Sequence, residues 1–258
     1  MIATHLVPQK TLECNLFFVS GEHTKSGYSL FIRYMDWIEE DLQYGIMLET
    51  KPTGKHTAIG FNFSDVGCYD GFNEAGLTVG TASVPFYDGK TGVGLRDSFA
   101  TRWILDNFST TEEAVEYLEN IPHAEAIGFL VADSRGISAR VECTPRGVSS
   151  FESQDGLNTV CNFFMLEGTR HFDKMPRDDR SRVYYRRIND WFDQHRGKIS
   201  LGKAEDFCRD HENGICEHLK DPLGGTIWSW IAELGTGKIY LASGYPCQNR
   251  YRSYQISS

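Results

Sequence analysis

Up to about residue 90 the apolar residues come in short bursts separated by Gly, Asn and Asp, the punctuation that antiparallel strands require. The clearest unit starts at Cys14: an apolar run over residues 16–19, a polar Gly-containing turn over 21–27 and a second apolar run over 28–32 predict a hairpin. Cys14 stands at its entrance, and Arg33 and Asp36 stand at its exit. Further strands are expected over 44–48, 56–61 and 77–84. The spacing then changes. Phe99, Trp103, Ile104 and Phe108 recur at helical intervals, and Thr110 with Glu113 forms a capping box that opens a second helix through Leu118 and Ile121. Residues 126–131 and 137–142 read as strands around the turn Asp133-Ser134-Arg135-Gly136, and the apolar run 159–164 as a central strand. Helical patterns over 180–192 and 203–219 follow, and a hairpin over 226–231 and 238–242 closes the chain. No linker, repeat or low-complexity tract divides these elements, and strands do not alternate strictly with helices. One α+β domain over residues 14–258 is the consequence. Residues 1–13 contain Pro8 and no periodicity, and read as an extended lead-in or a removable prefix.

The two ends of a hairpin lie side by side, so the Cys14 thiol can neighbour Arg33 and Asp36. A nearby guanidinium favours thiolate over thiol, and a carboxylate can orient a protonated amine. A buried cysteine and a surface ion pair are the plainer explanation of the same residues.

Composition narrows the picture. With 258 residues, 40% hydrophobic and 13% aromatic, the chain has material for a sizeable core. A net charge of −9 leaves no basic excess to meet phosphates, which argues against nucleic acid or an anionic membrane as partner. The N-terminal segment lacks a basic region followed by an apolar one, and no apolar run is long enough to span a membrane, so a cytoplasmic location is expected. Seven cysteines without framework spacing suit reduced thiols.

Other residues offer chemistry. Cys208, His211, Cys216 and His218 are the densest Cys/His cluster, but their spacing matches no zinc pattern, and an ordinary helix with polar His residues is the simpler reading. Asn73 and Glu74 lie in the turn-to-strand segment 70–80. Asn162 sits inside an apolar run, where its amide needs partners and could stabilise an oxyanion. Arg182 opens a helix beside Asp178 and Asp179, a pattern that a solvated charged face also explains.

Taken in order, Cys14, Arg33-x-x-Asp36-Trp37, Gly71-Phe72-Asn73-Glu74-x-Gly76-Leu77, Val160-Cys161-Asn162-Phe163, Ser181-Arg182, Thr226-x-Trp228-Ser229 and Gly244-Tyr245-Pro246-Cys247 resemble the N-terminal-nucleophile hydrolases of the choloylglycine hydrolase, penicillin V acylase and acyl-coenzyme A:6-aminopenicillanic acid acyltransferase type. The resemblance runs from residue 14 to near the end of the chain, and its closing motifs are nearest the acyltransferase-like, linear-amide branch. It implies a four-layer αββα sandwich, two antiparallel sheets between helical layers. It also implies autocatalytic removal of residues 1–13, after which the new α-amine of Cys14 is the base for its own thiol. Cys14 would then form a thioester with the acyl group of a small-molecule amide or other acyl donor, with Asp36 holding the amine. Arg33 and Arg182 would polarise the nucleophile and the substrate end, and Asn162 with a backbone N–H near Ser83 would receive the oxyanion. No cofactor or metal is implied. Departures from the pattern are Glu13 where Gly or the initiator Met is usual, Asn15 in place of Thr, and the loss of the Gly and Asn that flank Arg33 in relatives. The acyl group, the choice between hydrolysis and transfer, and oligomeric state, homo-oligomer included, stay open. An uncleaved, non-catalytic relative that binds an acylated amine or a protein is the alternative.

Overall fold

The computed structural model describes residues 14–62, 67–218 and 224–256; the prefix 1–13 and the bond between Glu13 and Cys14 lie outside them. The hairpin is present as β1 (Cys14–Val19) and β2 (Leu30–Trp37), and β2 runs on far enough to carry Arg33 and Asp36 within the strand itself. Along the chain follow β3 (Ile46–Thr50), β4 (Ala58–Asn62), β5 (Asp70–Asn73) and β6 (Thr78–Ser83). Helices α1 (Asp97–Asn107) and α2 (Thr111–Asn120) come next, then β7 (Ile127–Ala132), β8 (Ser138–Thr144), β9 (Gly147–Glu152) and β10 (Leu157–Val160). Helices α3 (Arg180–His195) and α4 (Leu201–Cys208) and strands β11 (Gly225–Glu233), β12 (Lys238–Ser243) and β13 (Arg252–Gln255) complete it.

The strands form two antiparallel sheets, one in the order β10-β1-β2-β11-β12-β13 and one running β3 to β9 in sequence order. Helices α1 and α2 pack on the seven-stranded sheet, α3 and α4 on the six-stranded one, and β1 and β10 face β6 and β7 across the middle. This is the four-layer αββα arrangement. It explains why β1 is apolar without a break: Leu16 and Phe18 point between the sheets, while Phe17 and Val19 point under α3 and α4. Strands covered on both faces need no polar side. Gly80 of β6 sits where a Cβ would come within 2.3 Å of Leu16 Cδ2, so a glycine there lets the two sheets approach closely.

Several elements differ from expectation. The capping box of α2 is formed as the sequence indicates, with Thr110 and Glu113 exchanging hydrogen bonds. The run 159–164, however, belongs to an edge strand that ends at Val160, which leaves Asn162 in the loop beyond it. Helix α4 stops at Cys208 because the Asp210 carbonyl captures the N–H groups of Ile215 and Cys216 around a turn at Gly214, which has φ of +67°. The remainder of the helix expected over 203–219 is therefore a loop, with Leu219 outside the described residues. Strands β9 and β13 are mostly exposed and lack the alternation that announces a strand.

Candidate active site

Cys14 opens β1 opposite Met35. On its other side β10 pairs only from Leu16 onward, and there the Cys14 N–H donates to Asn162 Oδ1 at 2.7 Å. Because that N–H is not spent on β2, Cys14 and Met35 form a non-hydrogen-bonded pair, the kind whose side chains stand closest. The thiol accordingly lies 3.2 Å from Met35 Sδ. Arg33, on the same face, donates from Nη2 to that sulfur at 2.7 Å and from Nε to Asp70 Oδ2 at 2.8 Å. Asp70 belongs to the other sheet, and Trp230 Nε1 donates to its second oxygen at 2.9 Å. Cys14, Arg33 and Asp70 are at most 5% exposed. Burial pushes the Cys14 thiol up, Arg33 pulls it back, and Asp36 and Asp70 add to the rise, so the intact chain holds a thiol rather than a thiolate. Burial also works against the Arg33 charge, but the Asp70 carboxylate that accepts from its Nε keeps the guanidinium protonated.

Asp36 lies on the opposite face of β2, the face of Tyr34 that α3 covers. Its Oδ1 accepts from Thr226 Oγ1 at 2.6 Å, whereas Oδ2 is buried with no hydrogen-bond partner among the described residues. Burial raises its pKa to about 7; Glu217 adds to the rise, and the Thr226 hydrogen bond, Arg180 and Arg33 oppose it. Both amide atoms of Asn15 and the hydroxyl of Tyr34, which stand opposite each other on this face, are also buried without a hydrogen-bond partner among the described residues. Thus the thiol and its cation occupy the side between the sheets, the carboxylate occupies the helix side, and the Cys14 nitrogen stands at the strand end where the two meet.

Asn162 is fixed at both ends. Its main-chain N–H donates to Ser181 Oγ at 2.9 Å and its Nδ2 to the Ser83 carbonyl at 2.7 Å. The Cys14 N–H can only donate and the Ser83 carbonyl can only accept, so chemistry alone orients the amide. At Ser83, the last residue of β6, the following Val84 N–H bonds to Ala126 O at 3.2 Å, which makes Ser83 and Ile127 a non-hydrogen-bonded pair. Both the N–H and the C=O of Ser83 therefore face away from β7, on the side where Asn162 arrives.

The structure brings together Cys14, Arg33, Asn162 and Ser83, with Asp36 on the reverse face. Arg182 is engaged elsewhere: it forms an ion pair with Asp173, donates to Pro176 O at 3.2 Å and covers the ring of Phe163 at 4.4 Å. Asn73 and Glu74 are structural, since Asn73 Nδ2 donates to Leu105 O and Phe108 O below α1 and Glu74 Oε1 accepts from Thr57 N–H. Cys208 turns away from the neighbouring His residues into the core under the six-stranded sheet. Sequence reasoning overlooked Met35 and Trp230, and it gave no role to Asp70 and Thr226, although both stand in segments it marked. The usable signal was Asp70, a carboxylate at the head of a segment already marked for its turn, in a chain with an arginine in an apolar strand. A surface hollow lined by Leu241, Ser243, Asn249, Arg250, Arg252 and Tyr254 lies at the β12–β13 edge, three strands from β1.

A profile of the family described as acyl-coenzyme A:6-aminopenicillanic acid acyl-transferase matches residues 23–248. The bile salt hydrolase/transferase of Clostridium perfringens (strain 13 / Type A) is 30% identical over 169 residues, 53% of this chain and 50% of that protein, so the match spans half the length of that curated relative. Among solved structures, a variant of conjugated bile acid hydrolase from Clostridium perfringens superposes with a TM-score of 0.58 at 16% identity, covering 95% of this chain and 97% of that one. The Caenorhabditis elegans N-acylethanolamine-hydrolyzing acid amidase (NAAA) ortholog gives 0.57 at 13% identity, covering 95% and 100%. Penicillin V acylase from Agrobacterium tumefaciens gives 0.50 at 18%, covering 89% and 82%. At such identities these structures speak for the fold, that of N-terminal-nucleophile hydrolases of the choloylglycine hydrolase type, and the profile speaks for the family: the chain belongs to the acyl-coenzyme A:6-aminopenicillanic acid acyl-transferase family.

Proposed function

We propose that the chain is a hydrolase or acyltransferase acting on a linear, non-peptide amide C–N bond through a thioester on Cys14, and that it becomes active when the bond between Glu13 and Cys14 is cut. The observation that carries this reading is the unequal state of the site in the intact chain. The Cys14 nitrogen already has its acceptor in Asn162, while an Asp36 oxygen on the adjoining strand is buried with no hydrogen-bond partner among the described residues. A free α-amine at Cys14 would supply the missing partner. Its reference pKa of ~7.7–8.0 suits a general base at neutral pH, and it is tethered to the thiol it must deprotonate.

In this reading the amine takes the thiol proton, and the thiolate, favoured by Arg33, attacks the amide carbonyl carbon. The resulting oxyanion is met by the second hydrogen of Asn162 Nδ2, the first being held by Ser83 O, and by the Ser83 N–H beside it. The tetrahedral intermediate collapses as the ammonium returns the proton to the leaving amine, which departs and leaves the thioester. Water or an acceptor amine, deprotonated by the same α-amine, then releases the acyl group. Arg182 acts indirectly, through Phe163 and the loop that carries Asn162. The structural relatives named for bile acids, penicillin V and N-acylethanolamines support a small-molecule amide or acyl donor as substrate.

Intact-mass measurement tests the proposal. Wild-type protein should lose residues 1–13, the Cys14→Ala variant should keep them, and only the former should be acylated by N-acyl amines, bile-salt conjugates or penicillin V. A wild-type chain that stays full length and takes up no acyl group would return the protein to the binding-only alternative.

A further inference from the structure

Away from Cys14, the loop between α4 and β11 meets the loop between β12 and β13, and four side chains with metal-ligand chemistry converge there. His218 Nε2 lies 3.1 Å from Cys247 Sγ and 3.8 Å from Cys216 Sγ. Both sulfurs therefore approach the same ring nitrogen. The ligand atoms of His211, His218 and Cys247 all lie within 4.8 Å of one another, and Cys216 borders that group through His218. We propose that Cys216, His218, Cys247 and His211 form a tetrahedral zinc site that pins these two loops together.

The distances suit that ion. Bonds of ~2.3 Å to sulfur and ~2.0–2.1 Å to nitrogen make the sulfur–nitrogen edge of a tetrahedron about 3.5 Å, which the two observed separations straddle. The tautomer is prepared as well. Nδ1 of His211 lies 2.8 Å from the Cys216 carbonyl, which can only accept, so Nδ1 carries the proton and Nε2 keeps its lone pair for a metal. His218 is stacked on Tyr245, with ring centroids 3.8 Å apart, and its Nε2 is the atom that meets the two sulfurs. Cys216 is fully buried while His211 is exposed, so an ion could enter from the His211 side. The sequence could not show this set, because Cys247 is remote along the chain and Cys208, the apparent fourth ligand, faces the core. Binding converts two thiols to thiolates, so one Zn²⁺ enters, two protons leave and the site is left neutral. The consequence reaches the nucleophile's neighbours: between Cys216 and His218 stands Glu217, whose N–H donates to Thr226 Oγ1 at 2.9 Å, and Thr226 in turn holds Asp36.

The test uses the full-length chain without a metal-binding tag, stripped by chelator under reductant and titrated with zinc sulfate alone. Expected are one zinc per chain retained through desalting, two protons released per zinc and a higher melting temperature; cobalt in place of zinc should show a thiolate charge-transfer band with tetrahedral d–d bands. The Cys247→Ser variant should lose stoichiometric retention, and the Cys208→Ala variant should keep it. A reduced wild-type chain that retains no zinc overturns the proposal, as does equal retention by the doubly substituted C216S/C247S chain. Should the variants fail to fold, the wild-type cobalt spectrum decides: without thiolate charge transfer the assignment is wrong. None of these readings depends on cleavage at Cys14 or on turnover.

Discussion

The Cys14 N–H donates to the Oδ1 of Asn162 at 2.7 Å, while the Nδ2 of the same amide donates to the carbonyl of Ser83 at 2.7 Å. One side chain thus spans from the nucleophile's strand in one sheet to the end of β6 in the other. Asn162→Asp keeps the acceptor and removes the Nδ2 donor, so it should slow acylation about 10²–10³-fold. Asn162→Ala removes both, and should also lower stability by about 1–3 kcal/mol through the orphaned Cys14 N–H. Single-turnover rates and urea melts separate the two effects.

Asp36 makes stability depend on pH. In the uncleaved Cys14→Ala chain its folded pKa is about 7, against ~3.9 when unfolded. Between those values the native state holds a proton that the unfolded state releases, so this group's contribution declines as pH rises from about 4 to about 7, by at most ~1.4 kcal/mol per pH unit. Asp97, also raised to about 7 by burial and by Glu125, adds a similar slope. Adding Asp36→Asn should remove about half of the combined decline. Denaturation midpoints at about pH 4.5 and 7.5 would show it, and an unchanged slope would refute the assignment. In the cleaved wild-type chain the Cys14 ammonium should hold Asp36 ionised and shrink the same slope.

Arg33 and Asp70 join the two sheets through a fully buried ion pair. Arg33→Met leaves the Asp70 carboxylate without its cation and should cost about 3–5 kcal/mol. Combining it with Asp70→Asn should restore much of the stability, because the substituted amide can still accept from Trp230. It should not restore the reaction rate, since the thiolate would still lack its guanidinium. Recovery of both would make Arg33 purely architectural.

Two arginines at the start of α3 should behave differently. Arg182→Gln breaks a partly exposed pair with Asp173 and should lower stability by about 1 kcal/mol without moving the pH profile. Arg180 pairs with Glu217 and pulls the Asp36 pKa down, so Arg180→Gln should shift the acidic limb of the rate profile upward. Equal shifts from both variants would contradict this division.

What the sequence made legible was local or spaced by a short period. The Thr110–Glu113 cap, the hairpin behind Cys14 and the helical spacing of α1 all depend on neighbours within a turn or a strand, and all are formed. Arg33 could be picked out as a cation near a thiol, but its partner Asp70 comes from the facing sheet, beside Gly80 where the sheets approach closely. Asn162, an amide in an apolar run that needs partners, has them, although its strand ends two residues earlier. Cys247 and His218 meet through loop packing, which leaves no periodic trace. Strands β9 and β13 are held by pairing along their backbones, and their polar side chains carry no sign of it.

The position of β1 within its sheet bears on what a cut before Cys14 would do. Cys14 begins a strand that β2 grips along its whole length and β10 from Leu16 onward, with Asn162 standing in for β10 at the very first residue. A chain end created there would be born inside a finished lattice instead of at a loose tip, and the fraying usual at termini would be suppressed. The nucleophile would then inherit the stiffness of the sheet, so that removing its neighbour changes its chemistry while leaving its address the same.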